Sequence, residues 1–198
     1  MIRSGTLSEV NRESGDWLFV DLGFSRASRS CGILLGNGLP EEITFGQLLN
    51  RVTQAARHPG RQLCLLLEAP LSVAFTPHGN PTGRSLERRG AKTRYWYAGL
   101  GTAVLTAATY LLRAITASPP GRDILLFEGF ASFKPKGQAS SHTSDVTRLR
   151  EVVWRPATFT AAIVSPEQIA ADPQDILTSA FAVAGMDYGI PPIVRIDV

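Results

Sequence analysis

The chain has 198 residues, of which 44% are hydrophobic and 19% charged. That is enough apolar material for one cored domain, and it excludes wholesale disorder. Two cysteines, Cys31 and Cys64, exclude a disulfide scaffold and a four-cysteine zinc site. The formal charge of +3 is too mild to argue for nucleic acid by itself.

The first strong strand covers 17–24, WLFVDLGF, apolar and β-rich. CGILLG (31–36) reads as its hairpin partner and EEITF (41–45) as a third strand after a Gly-Asn-Gly turn. Thr44 or a neighbour can cap a helix over 45–58, with Leu48, Leu49, Val52, Ala55 and Ala56 as its apolar positions; His58-Pro59-Gly60 stops it. Residues 61–72 hold a strand of the fully buried type, ended by Pro70. After a Pro- and Gly-punctuated loop, a long helix is expected over about 92–117, with Leu100, Val104, Ala108, Leu111 and Ile115 as one stripe.

RDILLFEGF (122–130) is another buried strand, followed by a polar loop with Lys134 and Lys136 and a helix starting near Ser141. TFTAAIV (158–164) reads as a strand. A last helix is expected over 172–184, and Pro191-Pro192-IVRIDV as an edge strand. Residues 1–15 carry no predicted element and read as a flexible lead-in to a single domain over 1–198.

An antiparallel start of three strands, followed by alternating helices and strands, is an α/β pattern. No Gly-rich strand-to-helix turn of the dinucleotide or P-loop kind is present. The pattern suits an RNase H-like fold: a mixed sheet whose first three strands are antiparallel, flanked by helices.

Charge is unevenly placed. Arg84, Arg88, Arg89, Lys92 and Arg94 face only Glu87 between 84 and 94. Glu167, Asp172, Asp175, Asp187 and Asp197 face only Arg195 between 166 and 198. A basic stripe beside an acidic cluster suits a protein that holds a phosphate backbone near a metal site.

Acids at the ends of strands buried on both faces need a reason to be there. Asp21, Glu68 and Glu128 each end such a strand, where neighbouring ends can cluster. Clustered carboxylates repel unless a cation neutralises them, and Mg²⁺ or Mn²⁺ prefers that oxygen-rich setting. The plain alternative is that each acid turns into solvent. A further acid is expected on a late helix. Asp175 and Asp172 are favoured, because small apolar residues follow them; His142 and Asp145 have the same spacing but precede a more charged run. For Asp172 the bland reading is N-capping. Tyr95 to Tyr97, beside the basic stripe, can stack on bases or pack the first turn of the long helix.

The segments VDLGFS, LLLEAPLS, GRSLERRG, FEGFASF and DPQDILTSAFAVAG resemble a predicted RNase H-like nuclease family of unknown function and, more distantly, the RuvC-type Holliday-junction resolvases. The resemblance spans roughly residues 17 to 185. It implies catalytic acids at Asp21, Glu68, Asp175 and Asp172, with metal held by Asp21, Glu68 and Asp175. It matches an arginine facing substrate at Arg84 and a secondary acid at Glu128; the basic stripe adds Arg88 and Lys92 for substrate phosphates, and the spacing leaves Asp145 and His142 as further secondary candidates. The resulting expectation is a Mg²⁺- or Mn²⁺-dependent hydrolase of nucleic-acid phosphodiesters. The alternative is a catalytically inactive binding or assembly module on the same fold.

The cysteines lie in apolar runs and read as small buried hydrophobes, which fits a reducing cytoplasm. The opening segment lacks a signal-peptide core, and the longest apolar stretch, 98–112, is shorter than the roughly 20 residues of a membrane span. A cytoplasmic chain with a nucleic-acid partner and no membrane partner is expected; composition does not set its oligomeric state.

Overall fold

The computed structural model describes residues 1–23, 29–131 and 141–196. Lys134, Lys136, Asp197, the last residue of the strand expected over 17–24 and parts of the VDLGFS, FEGFASF and IVRIDV segments lie outside them. In chain order the strands and α-helices are β1 Ile2–Ser4, β2 Asp16–Leu22, β3 Cys31–Leu35, β4 Glu41–Ile43, α1 Phe45–Arg57, β5 Leu63–Glu68, β6 Ser72–Phe75, β7 Pro81–Thr82, β8 Arg88–Arg89, β9 Lys92–Thr93, α2 Leu100–Thr116, β10 Ile124–Phe130, α3 His142–Trp154, β11 Ile163–Val164, β12 Ile176–Ser179 and β13 Ile193–Arg195.

The main sheet is mixed and runs β11-β13-β10-β5-β2-β3-β4, with β1 also paired to β10. β2, β3 and β4 are successively antiparallel, as expected. β5 returns parallel to β2, and β10 parallel to β5, each after a helical crossover that such parallel pairing needs. β1 and β13 share the other edge of β10, pairing with its first and second halves respectively.

Alternation along the central strands splits the core. Leu18, Val20, Leu22, Leu63, Leu65 and Leu67 pack with α1 and α2 on one face. Trp17, Phe19, Cys64, Leu66, Leu125 and Phe127 pack with α3 on the other. A sheet covered on both faces needs the near-continuous apolar runs seen in LCLLLE and ILLF. Both cysteines are free and buried, and burial pushes the Cys64 thiol up to about 12, so it is held as a neutral apolar group.

α1 starts as the sequence dictates. Thr44 accepts from the Gln47 N–H while the Gln47 side chain accepts from the Thr44 N–H, satisfying two otherwise orphaned donors. Its Leu48, Val52 and Ala56 are buried. α2 is shorter than expected. Residues 92–99 form β9 and a turn, and the helix begins only after Gly99, whose φ of 58° is the left-handed region that glycine tolerates. Leu100, expected in the buried stripe, is exposed, whereas Ala108, Leu111 and Ile115 are buried.

Three further expectations are corrected. Residues 172–184 are not a helix. They form a turn, the strand β12 and a short 3-10 turn over Ala182–Ala184. β12 pairs antiparallel with β6, Ser179 opposite Ser72 and Ile176 opposite Phe75, and β6 pairs in turn with β7. Four residues that read as the start of an Ala-rich helix thus complete a small second sheet, because pairing with β6 outweighs local propensity. The segment expected as a strand over 158–164 is mostly 3-10 turn, leaving only β11 as strand. β11 lies outside β13, so β13 is not the edge.

Candidate active site

The carboxyl ends of β2 and β5 lie side by side. Asp21 is registered against Glu68 across the parallel pair, about 4.8 Å away strand to strand. Asp21 follows Trp17 and Phe19 at alternate positions, and Glu68 follows Cys64 and Leu66. Both acids therefore sit on the face covered by α3. The same transverse row continues to Gly32 on β3, then to Glu42 on β4, and in the other direction to Gly129 on β10. Asp21 is buried; Glu68 and Glu42 are half-buried.

The start of α3 closes over this row. Ser141 caps the helix, its hydroxyl accepting from the Ser144 N–H. The His142 Nδ1–H donates to Asp21 Oδ2 at 2.9 Å; an ionised carboxylate can only accept. This bond, together with the charges of Asp21, Glu42 and Asp145, raises the His142 pKa above its ordinary value, against a smaller opposing effect of burial. Asp145 lies one turn further along and is buried with Val146 and Leu149. The positive end of the helix dipole adds to the attraction for acids at this point.

Glycine permits the approach. A Cβ on Gly32 would come within 2.6 Å of the His142 carbonyl oxygen, and one on Gly23 within 2.2 Å of the His142 ring. A Cβ on Gly129 would meet Leu66 at 2.8 Å and Leu149 at 3.2 Å. The row thus reads Glu42, Gly32, Asp21, Glu68, Gly129, with the acid pair flanked by glycines that admit α3.

Of the expected site residues, the structure registers Asp21 beside Glu68 and bonds His142 to Asp21, with Asp145 one turn along α3 from His142. Asp172 and Asp175 lie in the turn before β12, where the Asp172 N–H donates to Asp175 Oδ2 at 3.2 Å and the Gln174 N–H to Asp172 Oδ1 at 2.9 Å. Their hydrogen bonds are local, and the helix meant to carry them inward is absent. Glu42 was not foreseen; its place in the row follows from β4 pairing, which EEITF alone does not register.

Glu128 and Arg84 are corrected as site residues. Glu128 alternates with Phe127 and Gly129, so it occupies the opposite sheet face, 0% exposed. Arg84, expected to meet substrate phosphates, is 2% exposed. Its Nη1 donates to Glu128 Oε1 at 2.8 Å and to Ser72 Oγ at 3.0 Å, and its Nη2 to Glu87 Oε1 at 3.1 Å. Glu87 also accepts from the N–H groups of Arg84 and Trp96. A buried charge survives only with this degree of pairing.

Arg88, Arg89 and Lys92 lie exposed on the β8–β9 hairpin. Arg88 Nε donates to the Tyr95 hydroxyl at 3.0 Å, and Tyr95 stacks on Tyr97 with ring centroids 5.2 Å apart.

Among the described residues, no group of three or more His, Cys, Asp or Glu side chains is set to hold a metal ion, and no helix is long and apolar enough to cross a membrane. No family model, curated protein or solved structure matches the chain.

Proposed function

We propose that the chain is a divalent-metal-dependent nuclease with an RNase H-like fold, whose site is Asp21 and Glu68 beneath His142 and Asp145. The observation that carries this reading is the in-register pairing of two acids on one sheet face, with a helix N-terminus laid over them. Three antiparallel strands, then parallel strands added after helical crossovers, agree with the fold the resemblance implies.

The donor set suits a hard cation that keeps most of its water. Mg²⁺ needs only one or two protein carboxylates, and Asp21 and Glu68 supply them on adjacent strands. Bound there, Mg²⁺ or Mn²⁺ would polarise a phosphodiester oxygen and acidify water. The chain's own part is to orient Asp21 through its hydrogen bond from His142 at the α3 N-terminus, and to accept or return a proton at His142. A carboxylate oxygen has two lone pairs, so Asp21 Oδ2 can keep its bond from His142 while an ion binds. The exposed β8–β9 hairpin supplies Arg88, Arg89 and Lys92 for phosphates of DNA or RNA.

The test is Mn²⁺ binding by electron paramagnetic resonance, together with cleavage of single-stranded, duplex and branched DNA and RNA in Mg²⁺ or Mn²⁺. Binding and cleavage, both lost in Asp21→Asn with the fold intact, are expected. A folded chain that binds nucleic acid without Mn²⁺ affinity would instead be the inactive binding or assembly module.

A further inference from the structure

We infer that Glu128 is a positioning residue for Glu68, acting through the backbone of Leu71 from the far side of the sheet; the catalytic meaning of this rests on the site proposed above. Glu68 is the last residue of β5, held on both sides by β2 and β10. Beyond it the chain turns sharply. The Ala69 N–H donates to the Leu67 carbonyl at 2.9 Å, and Pro70 has a fixed φ and no N–H to give. The next donor is the Leu71 N–H, which reaches Glu128 Oε2 at 2.8 Å. The turn carrying Glu68 on one face is therefore tied down on the other.

Glu128 is itself fixed. Arg84 Nη1 donates to both of its oxygens, at 2.8 and 2.9 Å, and Arg84 is held by Ser72 and Glu87. The Leu71 carbonyl accepts from the Ala180 N–H at 2.9 Å, at the end of β12. Both backbone groups of Leu71 are thus committed, one to the main sheet and one to the small sheet. The same carboxylate cluster grips the turn over Ser85–Glu87 that leads into the basic hairpin, through the Arg84 and Trp96 N–H groups on Glu87. One buried network fixes both the Glu68 turn and the root of the hairpin.

The role of the acceptor can be separated from that of the charges. Two triple variants remove all three charges and leave no ion unpaired: Arg84→Met/Glu87→Gln/Glu128→Gln and Arg84→Met/Glu87→Gln/Glu128→Leu. They differ in whether position 128 can still accept from Leu71. Hydrogen exchange of the Leu71 amide and the carboxyl ¹³C resonance of Glu68 at one pH read the positioning without any activity. The variant with Glu128→Gln should keep both near wild type. The variant with Glu128→Leu should exchange Leu71 at least 10-fold faster and displace or broaden the Glu68 resonance, while β2 amides stay protected. In cleavage assays its kcat should fall at least 10-fold with KM unchanged. Single Glu128→Gln, which keeps Arg84 paired with Glu87, serves should either triple fail to fold; it should leave Leu71 protection and kcat near wild type. Equal Leu71 exchange and equal Glu68 resonances in the two triples would overturn the inference, as would loss of Leu71 protection in Glu128→Gln. Failure of the nuclease reading shows separately, as a wild-type chain without cleavage.

Discussion

Asp21 and His142 are 121 positions apart in sequence and are joined, carboxylate to imidazole, at 2.9 Å. The bond has a thermodynamic signature. The folded state raises the His142 pKa above the ordinary 6.5, chiefly through that hydrogen bond. Between the unfolded and folded values the native chain binds the extra proton. The stabilisation is therefore full below about pH 6.5 and fades as pH rises through the folded value. Urea midpoints of the metal-free chain should fall over that window. His142→Asn should flatten the dependence, and Asp21→Asn should weaken it. An identical pH slope in wild type and His142→Asn would refute the assignment.

A second expectation concerns which late acid matters. Asp145→Asn should lower metal-dependent cleavage about 10- to 100-fold, the order seen when groups supporting a metal site are removed. Asp175→Asn and Asp172→Asn should stay within about 2-fold, because both acids serve a surface turn. Single-turnover rates at saturating Mn²⁺ decide this; the reverse order would return the site to the β12 turn.

The signal for Asp145 was present in the sequence. Asp145, Leu149 and Val152 recur at four and three residues, so an acid heads the apolar stripe of α3, and all three are buried. The charged residues between them, Arg148, Arg150 and Glu151, belong to other faces and make the segment read as solvated. The segment over 172–184 misled in the opposite way. Its alanines fit a helix locally, and only the long-range pairing of Ile176–Ser179 with β6 determines its form. Strands β2, β5 and β10, capped helix α1 and the Asp21–Glu68 pair were legible because unbroken apolar runs and a capping box are local patterns. The fate of Arg84 and Glu128 was not, because a side chain's ion partner across 44 positions leaves no periodic trace.

The glycines of the row give a third expectation. Gly32→Ala places a methyl carbon within 2.6 Å of the His142 backbone, so α3 must shift, at a cost of about 1–3 kcal/mol. Gly46→Ala, in the first turn of α1, where an added methyl meets nothing closer than 4.0 Å, serves as the comparison. Chemical denaturation reads the loss, and the His142 ring resonances should move in Gly32→Ala only. Unmoved His142 signals would mean that α3 does not rest on β3 at this point.

The basic residues between 84 and 94 should divide into two kinds. Arg88, Arg89 and Lys92 are exposed on the hairpin, whereas Arg84 is buried between two carboxylates. Changing the three exposed residues to Gln should leave unfolding within about 0.5 kcal/mol of wild type, as is usual for surface substitutions. It should reduce the slope of log affinity against log salt by about two to three, one contact for each neutralised phosphate partner. Arg84→Met behaves differently. It strands Glu87 and Glu128 without their cation, and breaking such a buried pair costs about 3–5 kcal/mol. The remaining folded fraction should keep the wild-type salt slope, because Arg84 has no surface from which to reach a phosphate. Fluorescence anisotropy with labelled oligonucleotides between 50 mM and 200 mM salt, alongside urea unfolding, separates the two effects. A wild-type slope in the hairpin variant would leave Arg88, Arg89 and Lys92 as a solvated turn. A reduced slope in folded Arg84→Met would mean that the hairpin's placement, which the buried network sets, matters to nucleic acid more than the charges the hairpin carries.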